Sequence, residues 1–208
     1  AMFEADDSQL MINDIRLARQ YNAYGIGPGI GTADNTLNAV DTFIRSAKTP
    51  LVIDADALNC IARRPELLNH IPMLSVLTPH DGEFDRLFGE HPTHEARIKK
   101  ALEVSKYYNV LILLKGHHTA LIRPDGKVYF NSTGSPAMAT PGSGDVLTGI
   151  LTSLIAQGYK PEVASIMAAF IHGLAGEMAA RINGDYGVTA SDIADCTGKA
   201  IMETMRQN

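Results

Sequence analysis

The sequence predicts an α/β fold in which helices cover both faces of a mostly parallel sheet. Short apolar runs alternate with segments whose apolar residues recur at helical spacing. The runs at 51–53 and 110–114 are apolar at every position, as strands buried on both faces are. Glycine, acidic or basic residues follow these runs, and the carboxyl ends of parallel strands are where such sheets bind ligands.

Length and composition indicate one soluble domain, residues 1–208. The chain is 22.4 kDa, with 45% hydrophobic and 20% charged residues, which suits a protein with a packed core and argues against disorder. The net charge is -5, the isoelectric point is about 5.8, and Trp is absent. Because it has no basic excess and few stacking aromatics, we expect no nucleic-acid partner.

Cysteine usage and hydropathy favour the cytoplasm. Cys60 and Cys196 form no CxxC pair, so we expect both to pack as small apolar groups rather than as a disulfide framework. The chain has no uninterrupted apolar run long enough to span a membrane, and its first residues lack the pattern of a signal peptide. We therefore expect a cytoplasmic protein with no membrane partner.

The first motif is a strand, a glycine turn and a helix. After a predicted helix over 9–19, a strand at 24–27 runs into the turn 27–31, and helical spacing then follows through Leu37, Val40 and Phe43. This is the local form of a phosphate loop, although it lacks both the GxGxxG and the P-loop fingerprints. The alternative is a tight turn in which glycine supplies a positive φ.

Two acidic residues follow the second strand, at 51–53. Asp54 and Asp56 are two residues apart, so in an extended chain they would share one face at the ligand edge of the sheet. Paired carboxylates there could hold a hydrated Mg²⁺ or substrate hydroxyls. The alternative, a cap on the following helix, suits Asp56 better than Asp54.

The third and fourth strands end in polar groups. After the strand at 74–78, Pro79 suits a helix start and places His80 and Glu83 on one helical face. The fourth strand ends at Lys115, which could reach a phosphate as a point charge. Residues 120–130 then read as a hairpin around the turn Pro-Asp-Gly at 124–126.

A second glycine turn, at 140–145, leads directly into an apolar helix. Such a turn aims backbone N–H groups and the positive end of a helix dipole at one point, which suits an anionic phosphate. Asp145 stands beside this anion site, where a carboxylate is repelled unless it accepts a proton from a group about to meet a phosphoryl. The alternative is an acidic residue that stabilises the first helical turn.

The remaining sequence predicts two further helices. One begins at Pro161 and carries a broad apolar stripe to Met178, on which His172 is interpreted as a core or edge residue. The other follows residues 189–192, which resemble a capping box with Asp in place of Glu.

Together these motifs resemble the ATP/ADP-dependent NAD(P)H-hydrate dehydratases, a branch of the ribokinase-like superfamily. The resemblance extends from about residue 22 to the C-terminus, and its five motifs lie at 27–31, 52–59, 77–83, 115–119 and 140–149. It implies a three-layer αβα ribokinase-like fold with a mostly parallel central sheet. It also implies repair of NADH or NADPH that has been hydrated on the nicotinamide ring, with ATP or ADP as co-substrate and Mg²⁺ as cofactor.

The resemblance also implies roles for individual residues. Asp145 would be the catalytic base toward the ring hydroxyl. The hydrated dinucleotide would be bound by Gly29, His80 and Asp145. Glu83, and secondarily Asp54, would organise Mg²⁺ through water. The adenine nucleotide would be bound by Lys115, Gly116, His117, His118, Thr119, Gly142, Ser143 and Gly144.

This sequence departs from the family pattern at its start. The family begins with another strand and a small-residue loop, and nothing in residues 1–21 matches them. The epimerase domain fused to some members is also not found. We expect a sheet without that first strand to expose an edge that a second copy covers, giving a homo-oligomer.

Two alternative functions stay open at this point. The first is a small-molecule kinase of the same superfamily that acts on a hydroxymethylpyrimidine or thiazole alcohol. Related kinases tend to carry Asn where this chain has His80, which favours the dehydratase. The second is a non-catalytic nucleotide-binding fragment, against which Asp145 and the glycines of its turn argue.

Overall fold

The computed structural model describes residues 12–15 and 21–206. These residues contain six strands and seven α-helices. The strands are β1 (Tyr24–Ile26), β2 (Leu51–Ile53), β3 (Val76–Leu77), β4 (Leu111–Leu114), β5 (Ala120–Ile122) and β6 (Val128–Phe130). The helices are α1 (Asp34–Ser46), α2 (Ala55–Arg63), α3 (Asp81–Phe88), α4 (His94–Tyr108), α5 (Ser143–Ala156), α6 (Pro161–Asn183) and α7 (Ala190–Arg206). Short 3₁₀ helices cover Pro65–His70 and Pro136–Met138. Strands and helices alternate from β1 to α3, whereas β4 to β6 and α5 to α7 each follow one another directly or through loops and short 3₁₀ helices.

All six strands form one sheet in the order β1-β2-β3-β4-β5-β6. The pairs from β1 to β4 are parallel, whereas β4–β5 and β5–β6 are antiparallel. The predicted hairpin is β5–β6, and the N–H of Gly126 donates to the carbonyl of Arg123 at 3.0 Å across its turn. The predicted mostly parallel sheet is therefore confirmed.

The central strands are apolar throughout because each contributes to two cores. In β2, Leu51 and Ile53 point into one hydrophobic cluster and Val52 into the other. The four residues of β4 alternate between the same two clusters. The first cluster includes residues of α1 to α4 and the second includes residues of α5 and α6, so the fold has the predicted three layers.

Helix α6 is the longest helix of the second helical layer. It is long and apolar enough to span a membrane, and it is the one such helix in the described residues, but 61% of that apolar window is buried inside the fold. A core helix has this property. Its second half packs with α7 in a third cluster that contains Cys196.

The predictions for the cysteines and for the start of α7 are confirmed, whereas the first predicted helix is not found where it can be checked. Cys60 and Cys196 are buried and free, as expected. At the start of α7, Thr189 and Asp192 exchange the hydrogen bonds of a capping box, from Thr189 N to Asp192 Oδ2 at 2.8 Å and from Asp192 N to Thr189 Oγ1 at 3.3 Å. The predicted helix over 9–19 is not helical at residues 12–15, and the rest of it lies outside the described residues.

Gly173 on α6 tests how closely this helix packs. A Cβ there would lie 2.3 Å from Thr133 Oγ1 and 2.7 Å from the Thr133 carbonyl oxygen, and backbone atoms cannot move aside cheaply. We expect Gly173→Ala to lower the free energy of unfolding by about 1–3 kcal/mol through overpacking, measured by urea denaturation. Gly198→Ala is the matched control, because its Cβ would meet nothing within 4 Å; it should gain about 0.5–1 kcal/mol in helix propensity. Equal effects at both sites would contradict the close packing.

Candidate phosphate-binding active site

The polar residues of the motifs meet at one edge of the sheet. Gly27 follows β1, Asp54 follows β2, His80 follows β3 by a few residues, and Lys115 follows β4. His80 and Lys115 form an isolated parallel bridge, and the N–H of Lys115 donates to the Pro79 carbonyl at 2.8 Å. Because β1 to β4 are parallel, these residues lie together where such a sheet binds ligands.

The ammonium of Lys115 is the centre of this edge. It lies 2.7 Å from Asp54 Oδ1 and 3.7 Å from Glu83 Oε2. Thr148 on α5 donates to the other oxygen of Asp54, Oδ2, at 2.8 Å. Asp54 is 1% exposed and Glu83 is 6% exposed. Two buried carboxylates thus share one cation, and with both ionised the cluster has a net charge of −1.

The second glycine turn lies directly against this cation. Gly142 has a φ of +86°, and the N–H groups of Asp145 and Val146 donate to its carbonyl oxygen. The N–H of Ser143 donates to Thr140 at 3.2 Å, whereas those of Gly142 and Gly144 have no backbone acceptor in the described part of the chain. A Cβ on Gly144 would lie 3.3 Å from Lys115 Nζ. The turn therefore presents unpaired N–H groups beside a fixed ammonium.

Asp145 is in the first turn of α5, as expected. Its side chain is exposed, and it forms no hydrogen bond or ion pair with any described residue. An acidic side chain at a helix N-terminus is favourable in itself. The absence of a partner within the described chain leaves both of its oxygens available to a bound molecule.

The first glycine turn packs against Asp54. Gly27 has a φ of +132°, and a Cβ there would lie 1.8 Å from the Asp54 carbonyl oxygen, so only glycine fits. The N–H of Gly31 donates to Asp56 Oδ2 at 2.8 Å. Gly29 has a φ of +66° with nothing within 4 Å of a Cβ position, and it is exposed at the tip of the turn.

The expectation that Asp54 and Asp56 share one face is wrong. Helix α2 begins at Ala55, directly after Asp54, so the chain is not extended between the two carboxylates. Asp54 occupies the cap position, contrary to the preference for Asp56, and its side chain makes no capping hydrogen bond. It turns inward to Lys115, whereas Asp56 holds the first glycine turn.

His80 and Glu83 lie together as predicted, in a capping box at the start of α3. His80 Nδ1 accepts from the N–H groups of Gly82 and Glu83, at 3.0 and 3.3 Å, and Glu83 Oε2 accepts from the N–H of His80 at 2.8 Å. The His80 side chain is 53% exposed. It can therefore contact a ligand while Glu83 stays buried beneath it.

The donor set does not fit a Mg²⁺ ion bound directly by Asp54 and Glu83. Both carboxylates are paired with Lys115, and the second oxygen of Asp54 accepts from Thr148. The described residues contain no group of three or more His, Cys, Asp or Glu side chains placed to hold a metal. Mg²⁺ can instead be held largely by the phosphates of a nucleotide and by water.

The loop at 116–119 borders a large open cleft. The cleft has a volume of about 840 Å³ and is lined by residues of this loop, by Asp81 and His94, and by Phe130, Asn131 and Ser132. The prediction included Gly116, His117 and His118 but not the residues after β6. Phe130, the last residue of β6, is 59% exposed; an aromatic residue at the end of a predicted strand was the available sequence signal.

His172, which the sequence predicted to be a core or edge residue, contacts the phosphate turn. Its Nε2 lies 3.2 Å from Ser143 Oγ, on the phosphate turn. Burial lowers the pKa of His172 from 6.5 to about 4; a hydrogen bond in which the ring donates to the Ser143 backbone opposes this shift, and the charge of Lys115 adds to it. His172 is consequently neutral near pH 7. The contact was not predicted because the neighbours of His172 on α6 are apolar and indicate a core position.

Comparison with known proteins identifies the family. The sequence profile of the NAD(P)H-hydrate dehydratases matches residues 2–199. The chain belongs to the NAD(P)H-hydrate dehydratase family. A Moorella thermoacetica protein named bifunctional NAD(P)H-hydrate repair enzyme is 43% identical over 184 residues, which are 86% of this chain and 34% of that protein. The chain therefore spans about a third of the length of this relative.

Solved structures agree with the family and the fold. An ADP/ATP-dependent NAD(P)H-hydrate dehydratase from Bacillus subtilis, co-crystallised with ATP and Mg²⁺, has a TM-score of 0.78 at 29% identity, covering 92% of this chain and 68% of that one. A ribokinase-like superfamily protein from Enterococcus faecalis has a TM-score of 0.73 at 27% identity, covering 88% and 63%. The predicted ribokinase-like fold is confirmed.

The lowered pKa of His172 predicts a loss of stability in acid. In the unfolded chain His172 becomes protonated below about pH 6.5, whereas in the folded chain it becomes protonated only near pH 4. The free energy of unfolding therefore falls as the pH falls through this interval. The loss reaches up to about 3 kcal/mol, and above pH 6.5 the contribution is constant. Denaturant unfolding of the wild type and of His172→Gln at several pH values isolates this contribution. Identical pH slopes in the two proteins would contradict it.

Proposed function

We propose that this domain dehydrates the hydrated nicotinamide ring of NADHX or NADPHX, with ATP or ADP as the phosphoryl donor. The arrangement that carries the proposal is the second glycine turn. It combines the N–H groups of Gly142 and Gly144 and the exposed carboxylate of Asp145, none of which has a partner among the described residues, with the ammonium of Lys115. The N–H groups and the ammonium suit a phosphoryl group, and the carboxylate suits a hydroxyl that is about to attack it.

The proposed reaction has two steps. Asp145 accepts the proton of the ring hydroxyl while the hydroxyl oxygen bonds to the terminal phosphorus of the nucleotide. The bond from that phosphorus to its bridging oxygen breaks, and the shortened nucleotide leaves. The ring then carries a phosphate ester. Loss of inorganic phosphate from one ring carbon and of a proton from its neighbour restores the double bond of the dihydronicotinamide. Phosphate leaves readily whereas hydroxide does not, which is why a nucleotide is consumed.

Charge stabilisation at the phosphoryl group comes from groups that are already in place. The N–H groups at Gly142 and Gly144 point from the start of α5, and Lys115 is held by Asp54 and Glu83. Fixed dipoles and charges need no reorganisation during the reaction. The N–H of Ser143 donates to Thr140 within the turn and its hydroxyl faces His172, so Ser143 contributes by holding the donors on either side of it.

We further propose where the two substrates bind. The nucleotide lies along Lys115 to Thr119 and enters the cleft of about 840 Å³ that the middle of this segment, 116–118, lines together with Phe130. The hydrated dinucleotide lies at the opposite side of the turn, against Gly29 and His80, which are both exposed. When bound, Mg²⁺ would neutralise nucleotide phosphates, with Glu83 acting on it only through water.

Cytoplasmic location and homo-oligomerisation are part of the same proposal. Both cysteines are free and buried, which suits a reducing compartment. Strand β1 pairs only with β2 in the described part of the chain, and a second copy that covered this edge would remove its unpaired backbone groups. Light scattering of the purified full-length protein measures the number of subunits directly.

The reaction can be tested with the full-length protein. We expect hydrated NADH, ATP or ADP, and Mg²⁺ to regenerate the near-ultraviolet absorbance of reduced nicotinamide and to release inorganic phosphate in equal amount. No recovery of absorbance, together with phosphorylation of a thiazole or hydroxymethylpyrimidine alcohol, would identify a kinase instead. Nucleotide binding without either reaction would identify a non-catalytic module.

Asp145→Asn tests the base. We expect turnover to fall by about 10²–10⁴-fold, because an amide cannot accept the hydroxyl proton, while nucleotide binding is retained. Asp195→Asn is the matched control, since Asp195 is an exposed acid on α7 outside the site. Turnover in Asp145→Asn equal to that of the control would remove Asp145 from the mechanism.

A further inference from the structure

Helix α6 holds the segment that leads into the phosphate turn along several of its residues. Asn131 Nδ2 donates to the Ala169 carbonyl at 3.1 Å, and Thr133 Oγ1 donates to the Phe170 carbonyl at 2.9 Å. The N–H of Gly134 donates to Glu177 Oε1 at 2.9 Å. Residues 131–134 are thus attached to α6 by hydrogen bonds before the chain reaches the turn.

The next contact is steric. A Cβ on Gly176 of α6 would lie 2.2 Å from Met138 Sδ, and one on Gly173 would overlap the backbone of Thr133. The side of α6 that carries these glycines therefore lies in close contact with residues 133–138. This leaves the segment little freedom to shift along the helix.

The last contact lies inside the turn itself. Ser143 is 8% exposed, and its hydroxyl faces His172 Nε2 at 3.2 Å. One hydrogen bond joins the two groups in either tautomer of the ring. Ser143 stands between Gly142 and Gly144, the two residues whose N–H groups lack backbone acceptors in the described chain. His172 therefore contacts the turn at the point that orients these donors.

We infer that His172 is a positioning residue that locks the phosphate turn onto α6 through Ser143. It does not touch the nucleotide. It fixes the direction of the N–H groups at Gly142 and Gly144, so that they converge on one phosphate without loss of chain entropy on binding. Because the ring is neutral near pH 7, it adds no charge beside Lys115, and the positioning is insensitive to pH in the neutral range.

This inference rests on the nucleotide-binding part of the proposed function, and the affinity for ADP tests it without any need for turnover. We expect His172→Leu and Ser143→Ala each to weaken ADP binding about fivefold, the effect of one lost hydrogen bond, as measured by titration calorimetry. The double variant should bind no more weakly than either single variant, because both remove the same hydrogen bond.

His172→Gln separates positioning from general packing. An amide can both donate and accept near the position of Nε2, so this variant should bind ADP within about twofold of the wild type. His70→Gln, on the 3₁₀ helix Pro65–His70, is the control outside the site and should bind as the wild type does. Should His172→Leu fail to fold, Ser143→Ala supplies the same comparison with a smaller change in volume.

Three outcomes would overturn the inference: full ADP affinity in Ser143→Ala or in folded His172→Leu, additive losses in the double variant, or binding by His172→Gln as weak as that by His172→Leu. Failure of the proposed function looks different. In that case the wild type binds ADP, the variants lose affinity as described, and hydrated NADH is not repaired. A wild type that binds no ADP overturns both.

Discussion

The ion pair between Lys115 and Asp54 is the interaction on which the rest of the site depends. Asp54 is almost fully buried, and its partner comes from a strand two positions away in the sheet. A buried carboxylate without its cation is strongly destabilising, so the pair fixes the ends of β2 and β4 relative to each other. Thr148 links α5 to the same cluster by its hydrogen bond to Asp54, and Glu83 links the start of α3 to it by its ion pair with Lys115.

This cluster also sets the electrostatics of the phosphate turn. Two buried carboxylates close to the turn would repel a phosphate if the ammonium of Lys115 did not offset part of their charge. Glycine at position 144 lets the ammonium of Lys115 approach the backbone of the turn. Because His172 is neutral, it does not place a second buried cation against the turn. Asp145 is then the one acidic side chain of the turn that faces solvent, which is where a substrate hydroxyl can reach it.

Much of the fold could be predicted because local patterns and the global topology agree here. Uniformly apolar runs such as 110–114 predict strands buried on both faces, and the capping residues Thr189 and Asp192 act within a single helical turn. The relation of Asp54 to Asp56 was predicted wrongly because their spacing was interpreted as extended chain, whereas α2 begins between them. The contact between Ser143 and His172 spans 29 residues, and no periodicity encodes it.

The sequence by itself determined the α/β class, the order of the strands and helices from β1 onward, the two glycine turns and the family, because each depends on residues that are close along the chain or on motifs in a specific order. The tertiary structure alone decided which side chains meet. Asp54 could have held a metal, capped a helix or paired with Lys115, and all three are chemically reasonable for a carboxylate after a strand. Packing places Lys115 Nζ 2.7 Å from Asp54 Oδ1, and at that distance the two side chains form an ion pair.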